Sequence, residues 1–131
     1  MYERHITGQD GENDATKYLQ SKGYTIVERN FYCKQGEIDI IAIDVEKNEY
    51  VFIEVKSRTN YEYGSPIEAV TTQKQKHIVS ATQYYIYKNN LENKFIRFDV
   101  ITIYKRKNNS LQKLRIQMEV GSDNIFSPKQ T

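Results

Sequence analysis

Cysteine, tryptophan, paired histidines and long apolar runs are scarce or absent in this 131-residue chain, and each absence removes a class of protein. Cys33 is the only cysteine, so there is no internal disulfide and no cysteine-based zinc site. The two histidines, His5 and His77, stand at no ligand spacing to one another or to Cys33, which argues against zinc. No apolar run approaches the length of a membrane span, and no N-terminal stretch resembles a signal peptide. The expectation is a cytoplasmic protein with no membrane partner. Internal repeats, linkers and low-complexity tracts are also missing. The length suits one domain with a modest core, expected over residues 1–120, with a C-terminal tail over 121–131.

Charge is present in quantity but unevenly placed. Residues 1–69 carry 8 Lys/Arg against 13 Asp/Glu, whereas residues 70–118 carry 10 against 2. An acidic half beside a basic half suggests a cation site next to a polyanion-binding surface. A solvated surface with chance clustering is the plainer alternative, and charge alone does not separate the two.

Periodicity gives an α/β order of α-β-β-β-α-β-β. A first helix is expected from about Gln9 to Lys22, with Ala15 and Leu19 inward and Gly23 as its C-terminal cap. Strands are expected at Tyr24–Phe31, Glu37–Asp44 and Glu49–Lys56, the last two joined by a turn around Glu46, Lys47 and Asn48. Ser65-Pro66-Ile67-Glu68 reads as a helix start. Thr72 to Asn89 places Ile78, Val79, Thr82, Tyr85 and Ile86 at helical intervals. Phe95–Lys105 and Leu111–Val120 alternate as two further strands, with a turn at Asn108-Asn109. Such an order implies a central mixed sheet flanked by helices.

The segment GEIDIIAIDVEKNEYVFIEVKSR, residues 36–58, is among the most apolar in the chain, yet Asp39, Glu54 and Lys56 interrupt it. Buried ionised groups are costly unless paired. Side chains two apart on a strand share a face, so Glu54 and Lys56 point the same way. A two-residue loop at Glu46-Lys47 would set Asp39 opposite Glu54, and a loop at Lys47-Asn48 would set it opposite Lys56. Either register gathers the three on one face, with β-carbons roughly 4.5–8 Å apart. Two carboxylates that close repel unless a proton or cation joins them, and a hard divalent cation such as Mg²⁺ or Mn²⁺ is the natural partner. A cross-strand ion pair worth only tenths of a kcal/mol is the plain alternative.

The blocks GEIDIIAID, VFIEVKSR and YGSPIEAV, together with GQDGENDATKYLQSKGYTIVERN and RFDVITI, closely resemble the YraN family of small bacterial endonuclease-like proteins. The layout is also similar to archaeal Holliday-junction resolvases and, more distantly, to the PD-(D/E)xK nuclease superfamily. The resemblance implies a restriction-endonuclease-like fold. It implies Asp39 as the metal-binding aspartate, Glu54 as the second acid and Lys56 as the lysine. Ile38 stands where the motif name has proline. The resemblance further places Glu12 as the acid of the first helix, holding a metal-bound water or a second cation. Residues alone would explain Glu12 by its position near a helix start, where an acid is favoured by the helix dipole.

The function expected is metal-dependent DNA endonuclease activity, on branched or structured DNA. Asp39, Glu54 and the Val55 carbonyl would hold the cation, and Lys56 would orient the attacking water or stabilise the transition state. The alternative is a nucleic-acid-binding module that kept the fold with little or no turnover. Arg29, Arg58, Lys74 and Lys76 are candidate phosphate contacts, with Gln73 and His77 beside the two lysines and Lys105-Arg106-Lys107 a weaker candidate. Of the eleven tyrosines, Tyr61 and Tyr63 are best placed to touch a substrate. Tyr84, Tyr85 and Tyr87 are expected in the core and rim of the second helix. A homodimer, presenting paired sites to a two-fold substrate, is a further expectation, with Ile125 and Phe126 as interface material or docked on their own sheet.

Overall fold

A strand covered on both faces cannot alternate between apolar and polar residues. Runs such as IDIIAI and VFIEV therefore mark the centre of a sheet with a helix on each side. The computed structural model describes residues 3–58, 71–104 and 111–115. Helix α1 (Glu3–Ser21) is followed by β1 (Tyr24–Cys33), β2 (Gly36–Asp44), β3 (Glu49–Arg58), α2 (Thr72–Lys88), β4 (Phe95–Tyr104) and β5 (Leu111–Arg115). The strands form one mixed sheet in the order β1-β2-β3-β4-β5. Strands β3 and β4 run parallel, with α2 between them in the chain, and the other pairs are antiparallel. This is the helix-flanked mixed sheet expected from the periodicity.

Two cores lie back to back. On one face Ala15 and Leu19 of α1 cover Ile40, Ala42, Val51, Ile53, Ile101 and Ile103. On the other, Ile78, Ala81, Tyr85 and Ile86 of α2 cover Phe31, Ile38, Ile41, Phe52 and Phe98. Each buried Val, Leu, Ile or Phe among them contributes about 1.5–3 kcal/mol by leaving water.

Helix α1 begins at Glu3 rather than near Gln9. Glycine costs a helix about 1 kcal/mol relative to alanine, so Gly8 and Gly11 weaken the local signal. Tertiary packing explains Gly11. A β-carbon there would stand 2.5 Å from Ser57 Oγ on β3, so any larger residue would have to push that hydroxyl aside where α1 meets the sheet. Helix α2 is capped by Thr71, whose hydroxyl accepts from the Lys74 N–H at 3.1 Å. The expected helix start at 65–68, the turn at 108–109, the outer half of the last strand (116–120) and the tail 121–131 lie outside the described residues.

A buried ionic cluster ties four strands together at the end of the sheet that carries the β2–β3 turn. The Arg97 guanidinium on β4 is 8 % exposed and Asp99 is fully buried. Arg97 donates from Nε and Nη2 to Asp99 (3.2 and 3.1 Å). Its Nη1 donates to Asp44 on β2 (3.0 Å) and Glu49 on β3 (2.7 Å). Its Nη2 also donates to the Tyr24 hydroxyl on β1 (2.6 Å). Hydrogen bonds from Arg97 and from the Lys47 N–H hold the Asp44 carboxyl below its ordinary range, against the opposing effect of burial.

Candidate metal centre and nucleic-acid interface

The β2–β3 hairpin sets the site. Its ladder runs from Asp44↔Glu49 to Ile40↔Ile53, and one step further the same register brings Asp39 level with Glu54. This is the register of a loop centred on Glu46-Lys47. The observed turn covers residues 45–48, closed by Asn48 in the left-handed region (φ 57°) and by the Lys47 N–H donating to Asp44 Oδ1 at 3.3 Å.

At Asp39 the strand departs from regularity. Ile38 and Ile40 would share a face in an ideal strand, yet Ile38 packs in the α2 core and Ile40 in the α1 core. The neighbouring strand is also irregular here. Asn30, level with Asp39 in the β1–β2 register, has φ 54°, a conformation that asparagine tolerates better than most residues. Asp39 thus sits where β2 turns over between the two cores. Its Oδ2 accepts the Val55 N–H at 2.7 Å, so a side-chain carboxylate takes up a main-chain donor just past the end of the ladder.

Glu54 is 6 % exposed and receives two cations. Lys56 Nζ and Lys74 Nζ each lie 3.3 Å from its Oε2. Lys56 comes from the same strand face and Lys74 from the first turn of α2. From the α1 side Glu12 Oε1 meets Arg29 Nη2 at 3.3 Å. Glu12 is the tenth residue of α1. The dipole of a first helical turn does not account for an acid there, because the helix starts well before it.

These charges act on Asp39 from both sides. Its carboxyl is pushed up from 3.8 to about 7, chiefly by burial and then by the Glu54 charge. Glu12 adds to the rise, while the Val55 N–H and Lys74 oppose it. A carboxylate pair of this kind favours a shared proton or a cation. The donors present suit a hard divalent cation, since Mg²⁺ needs only one or two protein carboxylates and completes its shell with water and phosphate oxygens. Among the described residues no group of three or more His, Cys, Asp or Glu side chains converges as a ready-made cage.

The structure thus brings Asp39, Glu54, Lys56 and Lys74 together, with Val55 contributing its N–H, and sets Glu12 beside Arg29 on the α1 side. Lys76, Gln73 and His77 are exposed on α2. The Arg58 main chain ends β3, but its side chain lies outside the described residues, as do Tyr61, Tyr63 and Lys105-Arg106-Lys107. Among the described residues no helix is long and apolar enough to cross a membrane. Two features were not anticipated. One is the contact of Lys74 with Glu54, which depends on how α2 docks. The other is the Arg97 cluster, for which FIRFDVIT carried a signal: two charges two apart inside an apolar strand, as in IEVK.

Comparison with known proteins identifies the family of the chain. Residues 11–103 match the family model described as "Uncharacterised protein family UPF0102". A UPF0102 protein of Clostridium botulinum (strain Loch Maree / Type A3) is 51 % identical over 110 residues, covering 83 % of this chain and 88 % of the relative. A UPF0102 protein of Clostridioides difficile (strain 630) is 52 % identical over 97 residues, covering 74 % and 83 %. The matched segment spans Glu12, Asp39, Glu54, Lys56 and Lys74, and the chain belongs to the UPF0102 (YraN) family.

Proposed function

We propose that this protein is a divalent-cation-dependent DNA endonuclease acting on branched or structured DNA. The observation that carries the reading is the meeting of Asp39, Glu54, Lys56 and Lys74 where β2 parts from β3. Two acids there share a mostly buried space, and two lysines stand at its edge. Asp39 and Glu54, with the Val55 carbonyl, would hold Mg²⁺ or Mn²⁺. When bound, such an ion supplies Lewis-acid neutralisation of a phosphate and a more acidic water.

The remaining chemistry belongs to the chain's own residues. The Lys56 ammonium is held near Glu54 and can donate to a phosphate oxygen as charge builds on it, which is where fixed donors accelerate reactions most. Lys74 brings a second cation to the same edge and holds the incoming backbone. Glu12, backed by Arg29, orients a water from the α1 side. Lys76, exposed on α2, extends the contact along the backbone without reading sequence. A two-fold dimer would present two such sites to a two-fold junction.

The test is incubation with linear, single-stranded, flapped and four-way DNA in Mg²⁺, in Mn²⁺ and in chelator. Metal-dependent cutting of the branched substrates is expected. DNA binding with no cutting in either metal would instead leave a binding module without turnover.

A further inference from the structure

Glu54 meets two cations on one oxygen. The Lys56 and Lys74 ammoniums both stand 3.3 Å from its Oε2, and a carboxylate oxygen has two lone pairs to offer. Neither contact is tight, since charge-assisted N–H···O bonds close to roughly 2.7–2.9 Å. The Arg97 cluster shows the contrast. There the guanidinium is 8 % exposed and reaches the Glu49 carboxylate at 2.7 Å. At Glu54 the carboxylate is buried, but the Lys56 side chain is 26 % exposed and that of Lys74 is 41 % exposed. Water is at hand for a lysine that lets go.

The two lysines are not held alike. Lys56 stands two residues from Glu54 on β3, so the strand itself keeps it on the same face as that acid. Lys74 comes from the first turn of α2. Its main-chain N–H is taken by the Thr71 hydroxyl at 3.1 Å, so the helix cap pins the backbone and leaves the side chain to swing. The first turn of α2 contains no acid, and the helix dipole disfavours a cation at this end. An anion offsets that disadvantage, and here the anion is Glu54. The Lys74 charge also acts on Asp39, favouring its ionised form, so Lys74 serves both acids of the pair.

We propose that Lys74 stands in for the divalent cation at Glu54 and exchanges with it, which releases the Lys74 ammonium to a DNA phosphate. The inference rests on the cation-dependent nuclease reading and adds an order of events to it. Two ammoniums cannot both stay this close to a Glu54 carboxylate that also holds a doubly charged ion, because like charges at that range repel. Lys74 is the one that yields, being the more exposed and on a separate element. Once displaced, its ammonium remains beside the helix N-terminus without Glu54, and a backbone phosphate is the anion that replaces it. Cation and DNA therefore bind with positive coupling, and by linkage each tightens the other by the same factor. In the absence of the cation Lys74 stays on Glu54 and adds little to DNA affinity.

The experiment has two readouts, neither of them cleavage. Free Mn²⁺ is followed by electron paramagnetic resonance over the DNA-free protein. Lys74→Met is expected to bind Mn²⁺ on the order of tenfold more tightly than wild type. Lys88→Gln, which removes a charge from the far end of the same helix, should bind Mn²⁺ like wild type. A labelled four-way junction is then titrated by fluorescence anisotropy in EDTA and in Ca²⁺, a hard cation with the same preference for oxygen ligands. Lys74→Met should match wild type in EDTA, salt slope included. In Ca²⁺ it should bind on the order of tenfold more weakly, with a logarithmic salt slope smaller by about 0.9. If Lys74→Met melts early, Lys74→Gln decides the question. Unchanged or weaker Mn²⁺ binding by the Lys74 variant would overturn the exchange. So would an equal loss of DNA affinity in EDTA and in Ca²⁺, the mark of a lysine that contacts phosphate throughout. Equal tightening of Mn²⁺ by Lys88→Gln would also overturn it, as an effect of net charge alone. No Mn²⁺ binding by any of the proteins would remove the exchange and the cation site together. Tighter Mn²⁺ binding and a Ca²⁺-dependent loss of DNA affinity, with no cutting by wild type, would keep the exchange and remove the nuclease. Cutting by wild type with unchanged Mn²⁺ affinity in Lys74→Met would do the reverse.

Discussion

The Asp39 carboxylate accepts the main-chain N–H of Val55 at 2.7 Å, and Val55 is the residue that separates Glu54 from Lys56. One side chain of β2 is thereby clamped to the midpoint of the IEVK segment of β3. The clamp fixes Asp39 beside Glu54 even though the main-chain ladder has ended, and it couples their charges.

That coupling gives a pH dependence. With its folded value raised from 3.8 to about 7, Asp39 holds a proton in the folded state that the unfolded chain has released. The native state therefore binds more protons between about pH 4 and pH 7, and metal-free stability falls as pH rises through that window. Asp39→Asn keeps an oxygen for the Val55 N–H and removes the charge. Urea midpoints measured in EDTA from pH 4 to pH 8 should decline for wild type and decline less for Asp39→Asn. Parallel curves would contradict the shared-proton description.

Glu54→Gln tests the same pair from the other strand. It removes the second-largest cause of the Asp39 shift and two ion pairs whose lysines are partly exposed. Such pairs are worth about 0–1 kcal/mol each, and relief of repulsion offsets them. The metal-free fold should keep its stability within about 1 kcal/mol, while Asp39 titrates at lower pH in a carboxyl-detected NMR titration. A large loss of stability on melting would assign Glu54 to a structural ion pair.

Arg97 shows what a structural ion cluster looks like in the same sheet. Its guanidinium meets Asp44, Glu49, Asp99 and Tyr24, and the cluster spans four strands. Asp39, by contrast, is clamped by a main-chain N–H. Removing one partner of a buried pair costs about 3–5 kcal/mol, so Arg97→Met should destabilise by that order in urea unfolding. Because Asp44 is held low, its contribution is present above the unfolded carboxylate range and is lost as pH falls through its folded value. A loss under about 1 kcal/mol in Arg97→Met, the size of an exposed pair, would refute the structural cluster.

Much of this arrangement was legible from strand parity. Glu54 and Lys56 sit two apart in VFIEVKSR, and the hairpin turn admitted a register that sets Asp39 level with Glu54. The turnover of β2 at Asp39 was not legible, because alternation assumes a regular strand and the cause lies partly in Asn30 on the next strand. From the residues alone Glu12 falls near an expected helix start, because Gly8 and Gly11 weaken the helical signal ahead of it, while the resemblance makes it the acid of the first helix. Gly11 is explained only by Ser57, far away in sequence. Arg97 and Asp99 obeyed the same rule as Glu54 and Lys56, so the rule finds buried charge without separating a structural ion cluster from a candidate site. Only the partners make that distinction.

Substitutions at Lys56 and Lys76 test chemistry and binding separately. Lys56→Ala should retain DNA affinity while cutting falls by about 100-fold or more, the usual cost of losing one donor to a developing charge. Lys76 is exposed, so Lys76→Gln should weaken binding evenly across sequences and reduce its salt slope. Gel shifts over a salt series beside cleavage rates would check both. Equal cutting by Lys56→Ala and wild type would exclude the role given to Lys56.

The most direct measurement is cleavage of a labelled four-way DNA junction in Mn²⁺ by wild type, Asp39→Asn and Glu54→Gln, purified identically and matched by thermal melting. Asp39 and Glu54 as cation ligands predict cutting by wild type alone, abolished in EDTA. Equal cutting by all three proteins, or none by wild type on any DNA in either metal, would contradict a metal-dependent nuclease built on this acid pair.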